Sequence, residues 1–339
     1  MIEVKHLTKI YGDHTAVDDL SFTIEPGHIY GLLGPNGAGK STTMNIVTGC
    51  LAATSGTVSI CGHDIYEEPI AAKRCIGYLP EIPPLYTDMT PFEFLSFVAE
   101  AKGVGYEEAS RQVREVMELT QIEDMKNRLI KNLSKGYRQR VGIAQAMLGN
   151  PDIIILDEPT VGLDPKQIIE IRELIRMLGQ SKTVILSSHI LAEISAVCDR
   201  VLIISQGKLV ADDTIEHLEN NVANANRLRL SVRGGAEEIS EVLSSIEGIL
   251  DCKQLSEEDG VITVSLTVTK ERDLRDDIFF AMAERRIPVL TMEADELDLE
   301  DIFLTLTDGE TAAEDAEDAE ADGEDKETEN ETEEEERDV

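Results

Sequence analysis

Ile29-Tyr-Gly-Leu-Leu-Gly34-Pro-Asn-Gly-Ala-Gly-Lys40-Ser41-Thr42 decides how this chain is read. Its first five residues form a nearly continuous apolar run, the pattern of a strand buried on both faces of a parallel sheet. The run breaks into a loop of the form GxxxxGK[ST], and Met44, Ile46 and Val47 follow at helical spacing. Gly34, Gly37 and Gly39, with Pro35, Asn36 and Ala38 between them, let successive backbone N–H groups point inward around phosphate oxygens. The helix N-terminus adds positive potential. Lys40 is placed to reach β- and γ-phosphates and the Ser41 hydroxyl to ligate Mg2+, so the candidate phosphate site extends through Thr42.

A second apolar run, Ile153-Ile-Ile-Leu156, ends in Asp157-Glu158. At the carboxyl end of a buried strand both carboxylates can turn toward a bound nucleotide. Asp157 is then the Mg2+ ligand and Glu158 the group that polarises the attacking water. Taken alone, Asp-Glu-Pro is equally well a solvated strand end that opens a turn. A third stretch, Leu133-Ser-Lys-Gly-Tyr-Arg-Gln-Arg140, precedes an apolar helical pattern. Ser134 suits its N-cap, and the open N–H groups with Gly136 could bind phosphate. In isolation a plain capped helix is the better reading of this stretch.

In this order, the three motifs closely resemble the ATP-binding cassette (ABC) family over residues 1–219. Lys40, Ser134, Asp157-Glu158 and His189 in Leu186-Ser-Ser-His189 stand where that family has its P-loop, signature, Walker B pair and switch histidine. Val161-Gly-Leu-Asp164 resembles its D-loop, and Tyr11 the aromatic that stacks on adenine. The resemblance implies ATP and Mg2+ as cofactors. It also implies a second copy of the chain, or a related cassette subunit, whose Ser134 and Gly136 close over the ATP. Two motifs depart from the pattern. Glu81 replaces the Q-loop Gln that helps hold Mg2+, and the signature carries Lys135 and Tyr137. Both departures resemble the branch that serves small exporter-type permeases, including gliding-motility and antibiotic- or sodium-efflux relatives, as does Leu299-Glu-Asp-Ile-Phe-Leu304.

The expected fold is α/β, a P-loop NTPase cassette (residues 1–219) with antiparallel N-terminal strands and a helical subdomain. Thr90-Pro-Phe-Glu93 starts one helix of that subdomain with a capping residue, Pro at the first position and Glu at the third. A linker (220–226) leads to a smaller α+β domain (227–307) in the β-α-β-β-α-β order of the ferredoxin-like fold. That domain ends in a helix over Leu297–Leu306. Residues 308–339 hold 18 acidic and 2 basic residues and almost no bulky apolar side chain, so a disordered acidic tail is expected.

Composition narrows the function. With 31 Lys and Arg against 67 Asp and Glu, the net charge of −36 disfavours a nucleic-acid partner and a polybasic membrane contact. The five cysteines show no CxxC spacing, which suggests neither a disulfide framework nor a zinc cluster, and Cys50 and Cys61 read as small core residues. The longest apolar runs are strand-sized, too short to span a bilayer. With these exclusions, the resemblance implies an ATP-hydrolysing subunit of an exporter at the cytoplasmic face of the cell membrane, working through a separate transmembrane permease. The alternative is a soluble, non-transport cassette ATPase acting on a macromolecular complex. A GTPase switch is disfavoured because no guanine-reading Asn-Lys-x-Asp element occurs.

Overall fold

The computed structural model describes residues 1–217, 226–258, 260–269 and 273–294. Two compact units, Met1–Ile215 and Glu216–Val339, divide slightly before the expected boundary. The strand that opens the second domain begins at Asn226, so the last residue of the expected linker is already extended. The expected helix over Leu297–Leu306 and the acidic tail lie outside the described residues.

The first unit is built on two sheets. One is antiparallel: β1 (Ile2–Tyr11) lies between β2 (His14–Ile24) and β4 (Ser55–Ile60), with the short β5 (His63–Asp64) at its edge. The other has the order β10-β9-β3-β8-β7-β6. Its strands are β3 (Ile29–Leu33), β6 (Ile76–Leu79), β7 (Ile153–Asp157), β8 (Thr183–Ser188), β9 (Arg200–Ser205) and β10 (Lys208–Thr214). β6, β7, β8, β3 and β9 pair in parallel, and β10 turns back antiparallel on β9. Every residue of β3, β7 and β8 is buried, their apolar runs and also the polar ends Asp157, Ser187 and Ser188. Ile2, Val4, Val58 and Ile60 of the antiparallel sheet share one core with Tyr30, Leu32, Ile155 and Ile185 of the parallel sheet.

Helices position the functional loops. α1 (Lys40–Val47) follows the glycine-rich loop, and α2 (Pro69–Arg74) precedes β6. The helical subdomain contains α3 (Pro91–Ala101), α4 (Tyr106–Leu119) and α5 (Lys135–Met147). The capping box at α3 is formed as expected: Glu93 N donates to Thr90 Oγ1 and Thr90 N to Glu93 Oε2. α6 (Pro165–Gly179) starts at Asp164, whose Oδ1 accepts from Gln167 N at 3.0 Å. α7 (Leu191–Ser195) follows β8. No helix among the described residues is long and apolar enough to cross a membrane.

The second unit runs β11 (Asn226–Arg233), α8 (Ala236–Ser244), β12 (Ile249–Glu258), β13 (Val261–Val268), α9 (Arg275–Glu284) and β14 (Val289–Ala294). Its antiparallel sheet has the order β12-β13-β11-β14, the ferredoxin-like arrangement. Ile262, Val264, Leu266 and Val268 alternate inward along β13 and pack with Ile239 and Leu243 of α8 and Ile278 and Met282 of α9.

Candidate functional site

The loop between β3 and α1 is shaped by its glycines. Gly39 caps α1 with φ +100°, and a Cβ there would lie 2.5 Å from Ala16 O. A side chain would thus be both strained and crowded. Lys40 is buried and folds back on the loop, its Nζ donating to Gly34 O at 2.7 Å and Pro35 O at 3.1 Å. Burial lowers the Lys40 pKa, while the carboxylates of Glu158 and Asp157 oppose that shift. An ammonium group held this way has two weak acceptors to exchange for phosphate oxygens.

Both carboxylates at the end of β7 are buried. In a regular strand they would face opposite ways, but Glu158 adopts φ +47° and so leaves the strand geometry. Glu158 then lines the cleft, and Asp157 keeps its strand position beside Lys40 and Ser41. Ser187, on the neighbouring β8, holds the pair. Its Oγ accepts from Glu158 N at 2.9 Å and donates to Asp157 Oδ1 at 2.5 Å. Burial raises the Asp157 pKa. The Ser187 hydroxyl pulls it down, the Glu81 charge raises it, and Lys40 and Ser41 lower it. His189 Nδ1 lies 3.0 Å from Glu158 Oε1 and 3.2 Å from Oε2, within hydrogen-bond reach of both oxygens.

A cleft of about 450 Å³ gathers most of the expected site. Tyr11, Glu81, Glu158 and His189 line it together with Asn36, Gly37, Gly39, Lys40, Ser41 and Thr42. Gly34 and Pro35 contribute through their carbonyls, and Ala38 is buried within the loop. Ser134 and Gly136 do not line it. Ser134 caps α5, its Oγ accepting from Tyr137 N at 3.4 Å. Gly136 lies against α6, where a Cβ would come within 2.5 Å of Gln167 Oε1.

Sequence reading assigned no role to Ser187. Its signal was present, because adjacent hydroxyls ending a buried strand must find partners. The cysteine reading needs correction too. Cys50 is exposed, because Gly49, at φ +68°, turns the chain just past the end of α1. The Sγ atoms of Cys61 and Cys75 and a carboxylate oxygen of exposed Asp152 lie within 4.8 Å of one another, a grouping that sequence spacing does not reveal. It sits at the opposite end of β7 from Asp157. Burial and Cys61 push the Cys75 thiol up to about 11.

Comparison with known proteins agrees with this geometry. Residues 17–161 match the ABC transporter family. The linearmycin resistance ATP-binding protein of Bacillus subtilis is 31% identical over 308 residues, covering 91% of this chain and 98% of the relative. The chain belongs to the ABC transporter family. It is an ATP-binding and ATP-hydrolysing subunit, and Lys40, Glu158 and His189 line one cleft. The bacitracin transport ATP-binding protein of Bacillus licheniformis is 35% identical, over 92% of this chain and 98% of its own length. A solved ATP-binding subunit of an ABC transporter superposes with TM-score 0.60 at 32% identity, covering 66% of this chain and 93% of that one. A dimeric ATP-binding cassette in a post-hydrolysis state with ADP and Pi gives TM-score 0.58 at 27% identity, covering 63% and 99%.

Proposed function

We propose that this subunit works in a pair of cassettes and drives export through a separate membrane permease. The observation that carries the reading is the separation of the two phosphate-binding elements. The P-loop lines the cleft, whereas Ser134 and the N-terminus of α5 lie outside it. A second copy, or a related cassette subunit, would bring its own Ser134 and Gly136 to each ATP. The Ser41 hydroxyl and the Asp157 carboxylate, with Glu81 beside them, are hard oxygen donors and fit Mg2+. Bound there, Mg2+ supplies charge neutralisation on the β- and γ-phosphates.

Within this frame Lys40 trades its loop carbonyls for phosphate. Glu158 orients the attacking water and accepts its proton, and His189 holds Glu158 through Nδ1. Tyr11 offers a half-exposed ring to the base. The helical subdomain offers a groove of about 290 Å³ between Phe92, Met117 and Lys126, which suits a permease segment. Through that contact the subunit would sit at the cytoplasmic face of the membrane. Outward transport is supported by the Nod factor export ATP-binding protein of Cupriavidus metallidurans, 33% identical over 62% of this chain and 70% of its own length.

The test is Glu158→Gln. Turnover should fall by roughly 10²–10⁴-fold while ATP still binds. With ATP and Mg2+ the variant should elute as a dimer in size-exclusion chromatography, and as a monomer without ATP. A variant that binds ATP yet stays monomeric at every concentration would overturn the paired-cassette reading.

A further inference from the structure

α7 is only five residues long, and it carries a glutamate that points inward. Glu193 is 8% exposed, although Asp and Glu are almost never buried without partners. Its partners are two hydroxyls from different segments of the chain. Thr160 Oγ1 donates to Glu193 Oε2 at 2.5 Å, and Ser188 Oγ donates to the same oxygen at 3.1 Å. Thr160 and Ser188 are themselves buried. A hydroxyl has one proton to give, so each commits its only donor to this carboxylate. Ser188 Oγ in turn accepts from Ile190 N at 3.1 Å.

These two segments are the ones that lead to the chemistry. Thr160 lies in the turn that leaves Glu158, a turn closed by Val161 N on Glu158 O (3.3 Å) and Leu163 N on Thr160 O (3.2 Å). Ser188 immediately precedes His189, and Ile190 immediately follows it. One carboxylate oxygen therefore fixes both flanks of the 3.0 Å contact between Glu158 and His189 without touching either side chain. We infer that Glu193 is a positioning residue for ATP hydrolysis, tying the turn after Glu158 to the strand end before His189 so that base and switch histidine keep their register. The tie needs two hydrogen bonds accepted by one oxygen. An amide carbonyl in the same place serves as well, whereas a methyl group does not.

The experiment compares Glu193→Gln and Glu193→Ala in the full chain, measuring kcat and KM for ATP hydrolysis. The Ala variant should lose between about 10-fold and 10²-fold in kcat, the scale at which a misplaced reacting group is felt. Its KM should stay within about twofold, because neither Glu193 nor the two hydroxyls it holds line the nucleotide cleft. Glu193→Gln should recover most of the wild-type kcat. Thr160→Val keeps the carboxylate and cuts one arm. It should also lower kcat at unchanged KM, and it serves in place of Glu193→Ala if that variant does not fold. Wild-type kcat in both Glu193→Ala and Thr160→Val would overturn the assignment. So would a Gln variant as impaired as the Ala variant, since the charge and not the geometry would then matter.

Discussion

Ser187 Oγ donates to Asp157 Oδ1 at 2.5 Å, and the same oxygen accepts the backbone N–H of Glu158 at 2.9 Å. One fully buried hydroxyl on β8 thus orients the metal-ligand candidate and fixes the backbone of the base candidate on β7.

Replacing Ser187 by Ala should leave the Glu158 N–H buried without an acceptor. The expected cost is about 1–3 kcal/mol of stability, read from denaturant unfolding. ATPase turnover should fall as well, because Glu158 at φ +47° loses the bond that holds its backbone. Ser187→Thr retains the hydroxyl and should keep more activity than Ala. Equal stability and turnover in wild type and Ser187→Ala would show that this bond does not hold the pair.

Asp157→Asn should stabilise the nucleotide-free protein at neutral pH while removing Mg2+-dependent turnover. Burial raises the Asp157 pKa in the folded state, so folding favours its protonated form. Above the folded pKa the ionised carboxylate therefore costs stability relative to the unfolded chain. As pH falls through that value the cost disappears. The melting temperature of Asp157→Asn should exceed that of wild type at pH 7, and the difference should shrink as pH falls toward the ordinary carboxylate range. Loss of a metal ligand should lower turnover by more than about 10²-fold. A less stable Asn variant, with a gap independent of pH, would mean that hydrogen bonding at Asp157 outweighs burial.

How much of this was legible in the sequence depends on how local each signal is. The P-loop, the Thr90–Glu93 capping box and the Ser134 N-cap are each written within a few residues, and all formed as read. The buried parallel strands were equally plain, because two covered faces leave no polar alternation. The ferredoxin-like order followed from element sequence, and the sheet order confirms it. What escaped was tertiary. Nothing local places Cys61 beside Cys75, or Ser187 between Asp157 and Glu158. Phe92, Phe94 and Phe97 look alike in sequence, yet only Phe94 is buried, because α3 turns one face to the core and leaves Phe92 and Phe97 half-exposed.

The surface proposed to meet the permease extends from Glu81 to the groove of the helical subdomain. Tyr86 lies in the proline-rich loop between β6 and α3. Tyr86 is half-exposed, but its ring packs on Phe94 at 5.9 Å and on Phe97 at 5.5 Å, so a charge there would disturb the fold as well as the surface. Ile82 is the better probe. It directly follows Glu81 of the nucleotide cleft and is 82% exposed, so it contributes little to the core. A permease segment seated beside Glu81 would bury it. Phe92 is also exposed and borders the groove of the helical subdomain. Ile82→Asp with Phe92→Asp should therefore change stability by less than about 1 kcal/mol, since each surface substitution usually stays within about 0.5 kcal/mol. ATP binding should be unchanged. Co-purification of a polytopic membrane protein from detergent-solubilised membranes should be lost. Full co-purification by the double variant would place the partner on another surface. Failure of the wild-type chain to recover any membrane protein, with full activity away from membranes, would favour a cassette ATPase that acts on a macromolecular complex instead.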